Sequence, residues 1–271
     1  MKKKTCLFCN QAIAGRKSNE HIFPQWLLDH FGIRKTKVTP THRSFIDYVI
    51  KSIRKHTLNK FLAGKICQEC NNGWMSELEN SAKENIINLA ENKKAVTDLK
   101  PEERFILARW TIKTALVLNS GSNFLKNVPK EHYNYIFKQK DKIPKNVAVF
   151  AQQHMYTEKF FWIQGSQWTV TGKNASLDKE LETIVLTKSY KIALQFGHLM
   201  LLVAHNPIDK YLFSFWKGIH VPLYPLKGKV TWFERSKDDF PWKDSIKATS
   251  LFHFSLGLCD PCVTINYKNE S

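Results

Sequence analysis

Apolar residues recur at every fourth position after residue 73, a spacing that favours an amphipathic helix over a strand. This series predicts a helix that runs to about Glu91, and its apolar members are Trp74, Leu78, Ala82, Ile86 and Ala90. A second helical pattern starts at Pro101, carries acidic residues in its first turn, and ends near Gly121. Residues 24–32 and 129–138 predict two shorter helices. All the predicted helices therefore lie before residue 140.

Beyond residue 145 the pattern changes to short apolar runs rich in β-branched and aromatic residues, as expected for strands. The predicted strands cover residues 147–150, 159–164, 167–170, 183–186, 190–196, 198–203 and 229–233. A two-residue turn at Gly165 and Ser166 and a glycine turn at Gly197 predict two β-hairpins. The order of elements predicts an α+β fold, in which a helix and mostly β structure follow an N-terminal module, with a boundary near residues 92–100.

The charge of the chain is strongly positive, with 41 Lys+Arg against 24 Asp+Glu among 271 residues, a formal net charge of +17. Such an excess favours polyanionic partners, and nucleic acid is the commonest of these, because phosphates bound by Lys and Arg release counterions. A basic stretch over residues 34–65, interleaved with Phe45, Tyr48 and Phe61, could line a phosphate groove. A merely solvated surface is the alternative interpretation.

The sequence suits a protein that stays in the cytoplasm. The longest uninterrupted apolar run covers residues 199–204, far short of the roughly 20 residues of a bilayer span. Lys2, Lys3 and Lys4 resemble the start of a signal peptide, but polar residues interrupt the apolar stretch that should follow. We therefore expect a soluble cytoplasmic protein without a membrane partner.

All six cysteines of the chain occur in C-x-x-C pairs, namely Cys6/Cys9, Cys67/Cys70 and Cys259/Cys262. In a protein without a secretory route, paired thiols are read first as metal ligands, and two pairs complete one tetrahedral zinc site. The alternative for the first two pairs is buried free thiols. The third pair has no second pair to complete a site, so we predict no metal there. It could be buried thiols, a reversible disulfide, or half of a site shared between chains.

The order of the motifs resembles that of the HNH nucleases, a family with the ββα-metal fold. The motifs are a C-x-x-C pair, then Glu-His-Ile-Phe-Pro at positions 20–24, then a second C-x-x-C pair followed by Asn-Asn-Gly-Trp at positions 71–74. The resemblance covers residues 6–79, under a third of the chain. It implies two metals with separate tasks, a structural zinc and a catalytic divalent ion.

The resemblance also implies a role for each matching residue. Cys6, Cys9, Cys67 and Cys70 would hold the structural zinc. His21 would be the general base that takes a proton from the attacking water, while Glu20 and Asn71 would bind the catalytic ion. Carboxylate and amide oxygens are hard ligands, which favours Mg²⁺ or Mn²⁺. Hydrolysis would leave 5′-phosphate and 3′-hydroxyl ends.

Two features depart from a simple match to the family. Adjacent residues on a regular strand point to opposite faces, so a bulge or strand end must lie at Glu20 and His21 if both serve one site. The middle asparagine of the family, which orients the catalytic histidine, falls at Leu62. Asn59 is the nearest substitute, and His42 or His56 could also serve.

Simpler interpretations exist for several of these residues. Glu20 and His21 could form a surface ion pair in a fold retained only for binding, and Asn71 could simply cap a helix. Trp74 and Leu78 are expected in the core, whereas His42 and His56 are more often solvated loop residues. On the helix that starts at Pro101, Trp110 is interpreted as a packed ring and Lys113 as a snorkelling amine.

Two functional hypotheses follow from these residues. The first is a metal-dependent endonuclease in which residues 1–91 cut nucleic acid, expected to be double-stranded DNA, and residues 92–271 bind a target, partner or trigger. The second is a zinc-stabilised nucleic-acid-binding or regulatory protein without turnover, which is consistent with the missing middle asparagine. A basic stretch supplies phosphate contacts without base information, so the sequence does not distinguish DNA from RNA.

Overall fold

The structure is a computed structural model of the chain. It describes residues 4–13, 18, 20–43, 50–122, 126–153, 160–165, 169–171, 189–205, 207, 211–216, 220–225, 230–233 and 263–267. Both helices and sheets are present, so the predicted α+β class is confirmed. Within these ranges, no helix combines the length and the apolarity that crossing a bilayer requires.

The chain forms two compact units that interleave along the sequence. The first unit contains residues 1–81 and 113–143, and the second contains residues 82–112 and 144–271. The helices are α1 (Gln25–His30), α2 (Gln68–Cys70), α3 (Ser76–Ala90), α4 (Pro101–Gly121) and α5 (Lys130–Lys138). This arrangement differs from a single boundary near residues 92–100, because the division falls inside α3 and α4.

Three pairs of short antiparallel strands lie in the first unit. The strands are β1 (Glu20–His21), β2 (Lys37–Val38), β3 (Thr41–Arg43), β4 (Ile50–Ile53), β5 (His56–Thr57) and β6 (Leu62–Ala63). β1 pairs with β6, β2 with β5, and β3 with β4. The described parts of the stretch 34–65, residues 34–43 and 50–65, contain paired strands of two to four residues and a 3₁₀ turn, and they show no clear period in the sequence.

Aromatic rings hold the first unit together around Phe8. The Phe8 ring contacts Trp74 and Tyr133 edge-on, with centroid distances of 5.2 and 5.5 Å. Trp74 also packs against Phe137 at 6.1 Å, and the Asn134 side chain donates to the Phe8 carbonyl at 2.8 Å. Helix α5 therefore covers the segment that carries the first cysteine pair. The expected core role of Trp74 fits these contacts.

Because Gly121 has no side chain, the end of α4 lies close to Ile22, which follows β1, and to Leu62 of β6. A Cβ atom at this position would lie 2.5 Å from Cδ1 of Ile22 and 3.3 Å from the carbonyl oxygen of Leu62. A side chain here would displace the residue that follows His21.

In the residues that the structure describes, the second unit forms two sheets. Its strands are β7 (Val147–Gln153), β8 (Phe160–Gly165), β9 (Thr169–Thr171), β10 (Tyr190–Phe196), β11 (Leu199–His205), β12 (Tyr211–Trp216), β13 (Val221–Tyr224), β14 (Val230–Phe233) and β15 (Val263–Tyr267). The five-stranded sheet has the order β13-β7-β11-β10-β8 and is antiparallel throughout. The four-stranded sheet has the order β14-β12-β15-β9.

One predicted hairpin is confirmed and the other is wrong. β10 and β11 pair across Gly197, whose φ of +54° places it in the left-handed region that glycine tolerates. β8 and β9 belong to different sheets, so no hairpin joins them, although Gly165 and Ser166 have typical turn residue types. The predicted strand at 183–186 lies outside the described residues. Strands β12, β13 and β15 were not predicted.

The predicted helices agree closely with the structure. Pro24 is the N-cap of α1, so the helix begins one position after the predicted start, and Gly32, with φ of +65°, follows its C-terminus. Helix α4 covers the expected residues, and α3 begins at Ser76 after a π-helical turn over Asn71–Met75. Capping and breaking residues act locally, so they mark helix ends well.

Candidate functional site

Four cysteines from two distant segments form one cluster in the first unit. Their sulfur atoms all lie within 4.8 Å of one another, and the members are Cys6, Cys9, Cys67 and Cys70. Three of the four are buried, whereas Cys9 is half-buried. Four thiol ligands at this spacing match the composition of a structural zinc site. The predicted convergence of the two pairs is confirmed, and the cluster is able to hold a metal ion.

Local backbone geometry presents the sulfur atoms of both pairs. In the first pair, the Asn10 amide donates to the Cys6 carbonyl at 3.0 Å, and Asn10 itself has a φ of +62°. We call this turn, residues 6–10, the cysteine hook. In the second pair, the amide of Cys70 donates to Sγ of Cys67 at 3.4 Å, where α2 begins. The amide of Cys67 donates to Sγ of Cys6, also at 3.4 Å, and so joins the two pairs.

The electrostatics of the cluster favour a cation among the sulfur atoms. A hydrogen bond from Cys70 lowers the pKa of Cys6 to about 4. Burial raises the pKa of Cys67 to about 12, and the hydrogen bond to Cys6 raises the pKa of Cys70. Without a metal, the cluster therefore stabilises the Cys6 thiolate and disfavours the thiolates of Cys67 and Cys70. A bound dication would stabilise all four thiolates together.

Glu20 and His21 lie on β1, where the backbone pairs with β6. Glu20 is opposite Ala63 and His21 is opposite Leu62. The strand is only two residues long and ends at His21, which agrees with the expected strand end. Glu20 is buried, with 7% of its surface exposed, whereas His21 is half-buried. The two side chains therefore experience different environments although they are adjacent in sequence.

Burial is the main influence on the Glu20 carboxyl and raises its pKa to about 7. The charge of Lys113 opposes this shift, and the charge of Glu79 adds to it. Among the described residues, no hydrogen bond to the Glu20 carboxylate is found. A cation beside this carboxylate would favour its charged form, so Glu20 suits the role of a metal ligand.

Lys113 is deeply buried and forms an ion pair with Glu79. Its Nζ lies 2.5 Å from Oε1 of Glu79, and the exposed fractions of the two side chains are 1% and 19%. The sequence interpretation of Lys113 as a snorkelling amine is wrong, because its ammonium does not reach the surface. Trp110, by contrast, is fully buried and packs against Phe196 as expected.

The His21 ring is held by two neighbours from the first unit. The side-chain nitrogen of Gln25 lies 2.9 Å from Nε2 and 3.2 Å from Nδ1 of His21. Burial lowers the pKa of His21, while a hydrogen bond to the backbone carbonyl of Asn59 and the charge of Glu79 act in the opposite direction. The charge of Arg34 also lowers this pKa. A neutral imidazole is the form that can accept a proton.

Gln25 is itself oriented by a charged pair at the end of α1. Nη2 of Arg34 donates to Oε1 of Gln25 at 3.0 Å, and Nη1 of Arg34 donates to both oxygens of Asp29 at 3.2 and 3.3 Å. The chain of contacts therefore runs from a carboxylate through a guanidinium and an amide to the imidazole. The sequence did not lead us to predict the contact between Gln25 and His21. The signal that could have indicated it is their spacing of four residues across the start of α1.

Asn59 contributes to the site through its backbone. Its carbonyl hydrogen-bonds the His21 ring, and its amide donates to the Arg34 carbonyl at 3.1 Å. Its side-chain Oδ1 is buried and lacks a hydrogen-bond partner among the residues described. Leu62, at the family position of the middle asparagine, is exposed and faces His21 only through backbone pairing. Among the suggested substitutes whose side chains the structure describes, Asn59 contacts His21, and it does so through its backbone carbonyl.

Of the two histidines suggested as alternatives, the structure describes the side chain of His56 alone, and its described contacts do not include His21. His56 stacks on Phe61, with centroids 4.9 Å apart and an interplanar angle of 26°. The side chain of His42 lies outside the described part of the structure, as do Cys259 and Cys262. The interpretation of the third cysteine pair therefore stays a prediction.

Asn71 lies at the start of the π-helical turn that follows the second cysteine pair. It is half-exposed, and its amide donates to the Cys67 carbonyl at 3.1 Å. The described contacts do not connect its side chain to Glu20 or His21. The charge of Glu79 acts on both Glu20 and His21, while Lys113 acts on Glu20 and Arg34 acts on His21. The role of Asn71 as a metal ligand stays a prediction.

Two of these neighbours, Glu79 and Lys113, are far apart in sequence, which explains why they were missed. A single lysine inside the apolar run of α4 was nevertheless a signal, because a buried ammonium requires a buried partner. The sequence does not identify Glu79 as that partner.

Comparisons with protein-family models, with curated proteins and with solved structures find no match to this chain.

Proposed function

We propose that the first unit is a metal-dependent endonuclease that hydrolyses phosphodiester bonds of nucleic acid. The observation that carries this proposal is the His21 imidazole, which is half-buried, is oriented by Gln25 and the Asn59 carbonyl, and is influenced by the same Glu79 charge that acts on the buried Glu20 carboxyl. A base, the groups that orient it and a nearby acidic side chain are parts that hydrolysis of a phosphodiester needs.

In this mechanism His21 accepts the proton of the attacking water. The hydrogen bond to the Asn59 carbonyl orients the ring, and burial favours its neutral form, so the base is ready at neutral pH. The charge of Arg34 lowers the pKa of His21, and the Arg34 guanidinium could contact a phosphate oxygen. The products would be a 5′-phosphate and a 3′-hydroxyl.

A divalent cation, Mg²⁺ or Mn²⁺, would be held by Glu20 and Asn71. When bound, it would supply stabilisation of the negative charge that develops on the phosphate and the leaving oxygen. Glu20 supports this assignment through its buried carboxylate. Asn71 is supported by its residue type and its position after the zinc cluster.

The positive charge of the chain supports nucleic acid as the partner, with double-stranded DNA as the expected form. The cysteine cluster, with zinc as the expected ion, would stabilise the unit by joining the hook to the start of α2. The second unit would bind a target, a partner or a trigger.

The direct test is plasmid nicking by the purified full chain in Mg²⁺ or Mn²⁺. We expect His21→Ala to slow nicking by at least about 100-fold, the usual contribution of a general base. The matched control is His30→Ala, which removes an exposed histidine of the same unit. Equal nicking by the wild type and by His21→Ala would rule out His21 as the base.

A binding protein without turnover is the second candidate. It is favoured by Leu62, which stands where the nuclease family has its middle asparagine. This candidate predicts salt-dependent DNA binding by the wild type and no cleavage with any divalent ion.

A further inference from the structure

A basic pocket lies on the face of the β2–β5 pair in the first unit. The cavity has a volume of about 590 Å³ and is lined by three lysines, two threonines and a histidine, namely Lys37, Lys55, Lys60, Thr39, Thr57 and His56. Its remaining lining residue is Val38, so no acidic side chain faces it. We call this cavity the lysine pocket.

The three ammonium groups of the pocket are available to a ligand. All three lysines are exposed, and none forms an ion pair with an acidic side chain in the part of the chain that the structure describes. Like charges that converge on one cavity repel one another, and an anion would relieve this repulsion. The threonine hydroxyls and the imidazole add hydrogen-bond donors of the kind that contact phosphate oxygens.

The pocket shares a short segment of chain with the proposed catalytic strand. The carbonyl of Asn59 hydrogen-bonds the His21 ring. Lys60 is the next residue, and adjacent Cα atoms are about 3.8 Å apart, so the backbone of Lys60 lies close to this contact. Phe61 stacks on His56 of the pocket, and its carbonyl accepts from the Ile22 amide at 3.0 Å. Residues 56–61 therefore connect the lysine pocket to His21 through direct contacts.

Further cations of the first unit favour an extended polyanion over a single small anion. Arg54 precedes Lys55, and its charge and that of Lys65 act on Lys126, whose pKa burial lowers to about 8. Nζ of Lys126 donates to the Asn119 carbonyl at 2.6 Å, so this ammonium is already partly satisfied. Basic residues thus continue beyond the pocket, as a ligand with several phosphates in succession would require.

We propose that the lysine pocket binds the sugar-phosphate backbone of nucleic acid and guides it towards His21. This inference rests on the proposed function, because it identifies where that substrate is held. It assigns phosphate contacts to the pocket and no reading of base sequence.

The test measures binding of the full chain to a fluorescent DNA duplex over a series of salt concentrations, in EDTA so that cleavage does not interfere. The triple variant Lys37→Gln, Lys55→Gln, Lys60→Gln removes the pocket charges. Each lost phosphate contact reduces the slope of log K against log salt by about 0.9, so we expect a slope smaller by roughly 2 to 3. The affinity near 0.1 M salt should fall by at least about tenfold.

The control triple variant Lys130→Gln, Lys138→Gln, Lys140→Gln makes the same charge change in the same unit, outside the pocket. Zinc content and circular dichroism check that both variants are folded. Equal slopes for the two triple variants would overturn the proposal, as would failure of the wild type to bind the duplex. Displacement of the duplex by micromolar mononucleotide would also overturn it, in favour of a nucleotide site.

Failure of the nuclease proposal gives a different result. A wild type that binds with a steep salt slope but never nicks plasmid would remove the proposed catalysis and leave the pocket in place. A pocket variant that binds like its control, in a wild type that does nick plasmid, would remove only the pocket.

Discussion

Lys113 and Glu79 show how strongly a single buried pair can depend on both of its members. The ammonium is almost completely inaccessible to water, and the carboxylate retains little exposure. Removing one charge leaves the other buried without a partner, which costs more than the intact pair contributes. The lysine was visible in the sequence as a charge within an apolar helix, but its partner, 34 residues earlier, was not.

We therefore expect Lys113→Met to lower the free energy of unfolding by about 3 kcal/mol, since it strands the Glu79 carboxylate. The double variant Lys113→Met with Glu79→Met should be less destabilised than Lys113→Met alone. Urea unfolding of the wild type, of each single variant (Lys113→Met and Glu79→Met) and of the double variant measures both effects as a double-mutant cycle. Additive losses in the double variant would show that the two charges do not interact.

At the scale of elements, the sequence predicts those whose signals are local. Proline and glycine marked the ends of α1 and α4, and β10 and β11 were predictable because two mostly apolar runs flank Gly197. The strands of residues 34–65 are two to four residues long, too short to show a period. The β8–β9 hairpin failed because pairing depends on distant strands, here β10 and β15, that a turn sequence does not specify.

The N-terminus of α4 offers a test of acid stability. The Glu103 carboxylate accepts from Nζ of Lys94 and from the amide of Lys100, both at 2.8 Å, and these contacts lower its pKa to about 2. The folded pKa lies below the ordinary value of 4.5, so the stabilisation is complete above pH 4.5 and is lost between pH 4.5 and 2.

Glu103→Gln is expected to remove this part of the pH dependence of stability. The loss at neutral pH should be small, a few tenths to about 1 kcal/mol, because water screens the ion pair. Thermal unfolding between pH 2 and 7 measures the stability of each variant. The variant Glu102→Gln removes the same charge one position earlier and is the control. If both variants lose stability in parallel with the wild type as the pH falls, the Glu103 contacts are not the source of the acid dependence.

At the scale of the whole molecule, the four clustered cysteines belong to the first unit, while the second unit has its own core of buried strands. The spacing of the cysteine pairs predicted their convergence because zinc chemistry restricts the ligand set. The interleaving of the two units was not predictable, because no local signal shows that residues 113–143 fold with the first 81 residues. The placement of Asn71 relative to Glu20 depends on the same long-range packing.

Metal removal should therefore affect the two units differently. We expect one zinc ion per chain, and its removal by a chelator should increase hydrogen exchange in residues 4–13 and 58–75, because zinc binding contributes to folding. Strands β10 and β11 should keep their protection. Metal analysis and hydrogen-exchange mass spectrometry measure these effects, with Cys67→Ser expected to lose the zinc and Cys259→Ser to retain it. A chain that binds no zinc would contradict this expectation.

The order of segments in the first unit also matters while the chain is being made. Phe8, inside the cysteine hook, leaves the ribosome long before Tyr133 and Asn134, which later contact it. At a synthesis rate of about 5–20 residues per second, roughly 6–25 s pass between the synthesis of the cysteine hook and that of these partners. During that interval the nascent thiols are open to oxidants and to competing metals. Early zinc capture would therefore protect newly synthesised chains, and zinc-depleted cells would accumulate misfolded product.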